Sequence, residues 1–525
     1  MKTYPIDLPG AKRMGIESWL ESFSCPIPGE EHLRVHQQIT AAFSHALPDA
    51  DALPAAHWAV VVNYKLIPFM AQCHFDFLKL RRLKAEGYDS VAGQEPVPID
   101  DALAAKKLAV PLNPKTFAID PALRLKERLR TVKVNQPHHS ALSSVFHRLA
   151  RHDSHMVGDR NQKELRAYLA DTGLNPFCLR PLLYLNPRPV ERAQGDAVRK
   201  LVAELFNNLL CADRGFQDCF DNAFRQRLED YLLATVAVFN GAREALGGRP
   251  LPELLVTHMG NLPHRVFAAA WRSLGGEVTG FSHGNPYPYS YIPGDAVNGA
   301  RMIFSKYSAL SEGERRLLEA ARRDFGGRFA STDKIEVHGG GLYAALFEAA
   351  GRAPRPTRTK SVMVVGFPFD YFYSAQLPEL NTMSYLAFEL EIVKTLKDAG
   401  HTVVYKAHPD TLKETSGIFE RFADRVETKP FEAVVAEADC LLFPHPFSTT
   451  LGYSLMSNRP VTLMSDTLRC HWHPEVLPLL RKRCSLVEIA PGADGRVVFD
   501  PDELKRAVAE SPERLDYAIV ERFAL

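Results

Sequence analysis

Ser361-Val-Met-Val-Val-Gly366 is a short apolar run that ends in glycine, and similar runs return at Thr402-Val-Val-Tyr-Lys406, Cys440-Leu-Leu-Phe443 and Pro460-Val-Thr-Leu-Met464. Each is too short for a typical helix and too continuously apolar for a strand wetted on one face, so each reads as a buried strand. Segments with helical spacing lie between them: Tyr385 to Ala399, stopped by Gly400, then Phe431 to Ala438, then Thr449 to Ser457. Alternating strands and helices predict a parallel sheet with right-handed crossovers, a Rossmann-like α/β unit over residues 361–525.

Upstream, Gly351-Arg-Ala-Pro-Arg-Pro-Thr-Arg-Thr-Lys360 has two prolines and no apolar period, and reads as a linker. Residues 1–350 carry related pieces at wider spacing. Trp58–Val62, Glu253–Thr257, Glu277–Phe281, Arg301–Phe304 and Lys334–Val337 read as strands, and Leu66–Lys84, Pro263–Leu274 and Glu312–Asp324 as helices. Residues 95–250 are mostly helical in pattern and read as an elaboration of this first unit. The expectation is α/β, with two Rossmann-like domains facing each other across a cleft. Ligands of open α/β sheets sit beyond the carboxyl ends of the strands, so the informative residues are those just after strands.

The length of 525 residues suits two or three domains. Lys plus Arg number 63 and Asp plus Glu 62, so overall charge gives no reason to expect a nucleic-acid partner, and any anion binding must be local. Cys25, Cys73, Cys178, Cys211, Cys219, Cys440, Cys470 and Cys484 form no C-x-x-C pair and read as reduced thiols of a cytoplasmic protein. Met1 to Leu20 lacks the apolar core of a secretory signal, and no apolar stretch reaches spanning length. Contact with an inner membrane is then expected to be peripheral. The basic run Arg124, Lys126, Arg128, Arg130 and Lys133 would suit an anionic membrane surface, or is simply a solvated helix face.

Two strand ends carry the chemistry. In Val403-Val-Tyr-Lys-Ala-His-Pro-Asp410, Lys406 and His408 are two residues apart and point to one side of an extended chain, and Pro409 ends the strand. A lysine and an imidazole side by side make a phosphate clamp, with a point charge from one and a titratable donor from the other. A solvated lysine beside an ordinary loop histidine explains the pattern as well. In Leu441-Leu-Phe-Pro-His-Pro-Phe-Ser-Thr-Thr-Leu-Gly-Tyr-Ser-Leu-Met456, a strand passes His445 and enters a helix near Ser448, Thr449 and Thr450. Free backbone N–H groups and the positive dipole end favour a phosphate there, with Gly452 leaving room one turn in. Plain helix capping is the other reading.

K-x-H-P followed by S-T-T-L-G-x-x-L-x-x-x-R-P-V resembles a subgroup of GT-B glycosyltransferases: the CDP-glycerol glycerophosphotransferases, the capsule and lipopolysaccharide Kdo transferases and the bacterial polysialyltransferases. The resemblance covers about 120 residues of the C-terminal half. It implies that Lys406, His408, Pro409, Ser448, Thr449 and Thr450 bind the phosphate of a cytidine nucleotide. Such families often place Glu shortly after the glycine, where it could bind ribose hydroxyls; here Tyr453 and Ser454 follow Gly452. Gly280-Phe-Ser-His-Gly-Asn-Pro286 resembles the His-Gly element of the glycerophosphotransferases, which makes His283 a candidate general base or phosphate stabiliser. His258, past the neighbouring strand, is a second catalytic candidate. Val337-His-Gly-Gly-Gly-Leu342 resembles the glycine-containing strand end that leads into the hinge, and three glycines would permit close approach to phosphates.

The expected function is therefore a metal-independent glycosyltransferase. It would move a sugar or sugar-like group from a nucleotide-activated donor, CMP- or CDP-linked, to a surface-polysaccharide or glycolipid acceptor, with no cofactor beyond that donor. Asp76 and Asp295 are possible carboxylate nucleophiles for a retaining reaction. His471, Trp472 and His473 could line the nucleotide site. Asp49-Ala-Asp51 reads as a turn, and His138, His139, His152, Asp153 and His155 lack a metal-site framework. The rivals are a nucleotide-sugar epimerase of the same fold and a scaffold without chemistry.

Overall fold

The computed structural model describes residues 2–46, 54–92, 95–106, 126, 154–159, 162–212, 215–257, 259–281, 290–291, 303–324, 334–338, 344–345, 347–349, 354–369, 382–446, 448–466 and 471–525. A small sheet joins β1 (Thr3–Pro5), β2 (Ser90–Ala92) and β3 (Pro96–Pro98). A six-stranded sheet contains β4 (Ser154–Val157), β5 (Phe177–Cys178), β6 (Glu253–Val256), β7 (Val278–Phe281), β9 (Lys306–Ala309) and β10 (Lys334–Val337), in the order β10-β9-β7-β6-β4-β5. All of its pairings are parallel.

A seven-stranded sheet contains β11 (Ser361–Val365), β12 (Thr402–Lys406), β13 (Arg425–Glu427), β14 (Cys440–Phe443), β15 (Val461–Ser465), β17 (Cys484–Pro491) and β18 (Val497–Phe499). Its order is β13-β12-β11-β14-β15-β17-β18, parallel except for the antiparallel last pair. A two-stranded ribbon pairs β8 (Ser290–Tyr291) with β16 (His471–Trp472). The chain is an α/β protein on two large parallel sheets. Their central strands are buried on both faces because helices cover both sides, which is why they read as unbroken apolar runs.

Three expectations for the first unit fail. Trp58–Val62 is a helix, within Ala55–Val62, not a strand. Its residues from Trp58 onward are all buried, against the helices Arg192–Ala212, Asn222–Leu246 and Leu262–Ser273, and a short run with no polar face has no period to separate helix from strand. Arg301–Phe304 is also misplaced: of its described residues Ile303 lies in a turn and Phe304 in no regular element, and the strand is the less apolar Lys306–Ala309. Phe304 lies beneath Gly280, where an added Cβ would come within 2.2 Å of its ring. Finally, the helical region 95–250 is not only an elaboration, because it supplies β4 and β5 of the sheet itself.

The chain ends cross over. Leu8, Trp19, Leu20, Phe23 and Ile27 share a core with β11, β12 and the helix Thr382–Asp398 of the second sheet. The Arg496 guanidinium closes the end of the helix Ile16–Ser22 by donating to Phe23 O at 2.7 Å and Leu20 O at 2.9 Å. At the other terminus, Ser311 Oγ donates to Phe523 O at 2.6 Å, and Gly313 lies directly against Arg522 and Phe523. The described part of the proline-rich segment is tied down as well: Thr359 Oγ1 donates to Val508 O, and the Lys360 and Ser361 N–H groups donate to Asp439. Among the described helices none is long and apolar enough to cross a membrane.

Gly313 gives a test of the terminal contact. A Cβ there would stand 2.1 Å from Arg522 O and 2.5 Å from Phe523 Cα, both backbone atoms. Gly313→Ala is expected to lower unfolding stability by about 1–3 kcal/mol through forced displacement of the C-terminal helix, read as a lower denaturation midpoint.

Candidate functional site

Chain order and strand order together locate a crevice in the second sheet. From β11 the chain builds β12 and β13 on one side, then returns to place β14, β15 and β17 on the other. The connections after β11 and β14 therefore leave in opposite directions, opening a gap beyond their carboxyl ends. Gly366-Phe367 follows β11 and Pro444-His445 follows β14. Val364 is paired with Leu442, so Phe367 stands beside His445, and their rings meet nearly at right angles with centroids 4.8 Å apart. Gly366 has no room for a side chain, because an added Cβ would be 2.1 Å from the Tyr405 hydroxyl.

Lys406 ends β12 on the other side of β11. It is buried, and its Nζ donates to Ala407 O at 2.7 Å. Burial pulls its pKa down, against the opposing pull of Glu427 and Glu432. His408 is half-buried, with its Nδ1 accepting the Asp410 N–H at 3.3 Å. The neutral ring therefore carries its proton on Nε2 and offers a donor there. Burial lowers its pKa, Asp410 raises it, and the Lys406 charge lowers it again, which puts Lys406 and His408 in one electrostatic neighbourhood, as their spacing predicts. His445 is fully enclosed; burial first, and His408 second, push it down to about 3. His408 thus lies in electrostatic reach of both Lys406 and His445, with the imidazoles favouring their neutral forms and the lysine supplying the charge.

The helix Thr449–Met456 enters from the same strand end. Ser448 is its N-cap in extended conformation, but the serine side chain makes no capping bond; its Oγ lies 2.6 Å from Thr450 Oγ1. The Leu451 N–H closes onto Ser448 O. Gly452 is buried within the helix, and Ser454 Oγ donates back to Thr450 O, so Ser454 serves the helix. The helix ends on Arg483, which is completely buried and donates to the carbonyls of Leu455 (2.9 Å), Ser454 (2.8 Å), Ser457 (2.7 Å) and Arg459 (3.0 Å). A cation at a helix's carboxyl end suits both the orphan carbonyls and the dipole.

The first sheet repeats the topology. From β4 the chain adds β5 on one side and β6, β7, β9 and β10 on the other, so its crevice lies beyond β4 and β6. Gly158 follows β4 with φ 115°. The exposed Asp159 comes next, and its N–H donates to Thr257 Oγ1 at 2.7 Å, linking the two strand ends. The loop after β6 is pinned by buried Arg265, which donates to Met259 O and Gly260 O at 2.8 Å each, and by Lys65, which donates to Gly260 O at 3.0 Å.

His258 and His283 lie outside the described residues. Further along the chain, Ser290–Tyr291 form β8, which pairs with β16. Lys163, at the start of a helix of the first unit, lies 3.8 Å from Glu432, the carboxylate that also acts on Lys406 and Tyr453.

Other candidates resolve differently. Trp472 packs in the core and its Nε1 donates to Ser465 Oγ, so it does not serve as an exposed stacking platform. His473 is buried, with Nδ1 accepting the Glu475 N–H. His471 pairs through its backbone with Tyr291. Asp76 is buried in an ion pair with Lys79 at 3.2 Å and is not presented as a nucleophile. His155 lies on β4 against Phe177 and Trp271. Lys126 is exposed. Asp49, Asp51, Arg124, Arg128, Arg130, Lys133, His138, His139, His152, Asp153, Asp295 and the glycines after His338 lie outside the described residues. Among the described residues no three His, Cys, Asp or Glu side chains gather as a metal-binding group. Gly366, Phe367, Asp159, Arg265 and Arg483 do not stand out in the sequence as residues of the site. The glycine closing the first apolar run was the one visible signal; the arginines gave none, since a buried arginine and a surface one look alike in sequence.

Arg483→Met keeps most of the apolar bulk and removes every bond to the helix end. The loss is expected to cost about 3 kcal/mol or more, because several buried carbonyls lose their donor together, and denaturant unfolding would measure it.

Comparison with family models, curated proteins and solved structures gave no match for this chain.

Proposed function

We propose that the chain is a glycosyltransferase of the GT-B kind. It moves a sugar or sugar-like group from a nucleotide-activated donor, with cytidine favoured by the motif resemblance, to a surface-polysaccharide or glycolipid acceptor. The observation that carries the reading is His408 in electrostatic reach of both Lys406 and His445, beside the entry of the helix Thr449–Met456, whose N-cap side chain makes no capping bond. A lysine charge, an Nε2–H donor and free helix N–H groups at a switch point are what a leaving phosphate needs as its bond to the sugar breaks.

In this reading the crevice of the first sheet takes the acceptor. His258 is a candidate base for it, and Asp159 adds a carboxylate at the end of β4. His283 is the other candidate base. Approach of the two crevices would exclude water from the transfer. The Lys163–Glu432 pair and the β8–β16 ribbon support such an approach, since both join the two units near the strand ends in question.

Titration calorimetry with CMP, CDP and UDP tests the reading. One nucleotide is expected to bind, and Lys406→Met and His408→Ala are each expected to weaken it about tenfold to a hundredfold, the worth of a charge-assisted hydrogen bond. No heat with any of the three would remove the transferase reading. A second expectation is a pH dependence. A lowered lysine pKa means that the ammonium loses its proton earlier as pH rises, so nucleotide affinity falls on the alkaline side before an ordinary exposed lysine would titrate. In Lys406→Met this component of the alkaline fall is absent.

A further inference from the structure

One buried acid beneath the second crevice has no part in the reading above. Glu389, on the helix Thr382–Asp398, is completely buried. Its Oε1 accepts the N–H of Phe367 at 2.9 Å, and its Oε2 lies 2.7 Å from the Tyr405 hydroxyl. Phe367 is the residue whose ring meets His445. Tyr405 immediately precedes Lys406, and its ring lies flat on Phe419, 3.5 Å between centroids and 7° from parallel. One carboxyl thus binds the end of β11 to the end of β12, on one side of the crevice, while the Phe367 ring reaches His445 on the other. The fit is tight, since the Tyr405 hydroxyl occupies the space a side chain at Gly366 would need.

We propose that Glu389 is a positioning residue of this crevice: by holding the Phe367 main chain and the Tyr405 hydroxyl together, it fixes the Phe367 ring against His445 and the β12 end that carries Lys406 for a phosphoryl group. The proposal rests on the reading of the crevice as a phosphoryl site.

The electrostatics agree with the geometry. Burial pushes the Glu389 carboxyl up to about 8, opposed by the bonds from Tyr405 and Phe367, so near neutral pH it is mostly the neutral acid. The titratable groups around it are Tyr405 from β12, itself pushed up by burial, Tyr385 one turn earlier on its own helix, and His445 beyond Phe367. A neutral acid can hold two elements together without placing a negative charge under an anion. As pH rises through about 8 the carboxyl ionises, and anion binding weakens. Glutamine keeps the shape and the acceptor for the Phe367 N–H but cannot ionise.

The test is the affinity of the full chain for inorganic pyrophosphate and for CDP between pH 6 and pH 9, in the native protein, Glu389→Gln and Glu389→Leu. Glu389→Gln is expected to bind like the native protein below pH 7 and to lose less affinity above pH 8; the fall that remains belongs to Lys406. Glu389→Leu, checked for folding by circular dichroism, is expected to bind about tenfold more weakly throughout, having lost both bonds. If Glu389→Leu does not fold, the pH profile of Glu389→Gln alone decides. Variants that follow the native protein at every pH overturn the role of Glu389 and leave the phosphoryl site standing. A native protein that binds neither probe overturns both.

Discussion

The helix Thr449–Met456 must end inside the protein, and its last carbonyls must find donors there. Arg483 supplies them. Its guanidinium sits completely buried under the helix end and bonds four main-chain oxygens, while its face lies over the Tyr517 ring at 5.3 Å. Burying a cation without a carboxylate is costly unless its donors are used. Satisfying the far end of the helix inside the core leaves the near end, at Ser448, facing the switch point. The candidate anion site thus depends on an arginine at the opposite end of the same helix.

The same device recurs where irregular backbone has to be held still. Arg265 fixes the loop after β6 and also takes the Val62 carbonyl at the end of the helix Ala55–Val62. Arg496 closes the helix Ile16–Ser22 and ties the N-terminal segment to the second sheet. In each case a fork of N–H donors collects carbonyls that no regular element could satisfy. The sheets supply position, and these arginines supply rigidity to the connections at their ends.

Within the second crevice, burial settles which groups carry charge. It holds His445 neutral down to about pH 3, depresses His408 and Lys406, and keeps Glu389 protonated near neutrality. Of these groups the lysine is the cation, and Glu427 and Glu432 act on it while Asp410 acts on His408.

The sequence alone determined the alternation of the C-terminal half. Thr402–Lys406 and Cys440–Phe443 occupy the predicted spans, and Glu312–Asp324 in the first unit does too, because a long amphipathic helix leaves a period that can be read directly and short apolar runs alternating with helices read as buried strands. It also determined that Lys406 and His408 share a neighbourhood, since two residues along an extended chain return to the same side. Only the tertiary structure decided that Trp58–Val62 is a helix, because its burial among three other helices erases any polar face. Only the strand order decided that β11 stands between β12 and β14, which brings Gly366, Phe367 and Glu389 into the site. Which strands are neighbours depends on long-range burial that no local pattern encodes, so a residue's place in the crevice could not be read from its own stretch of chain.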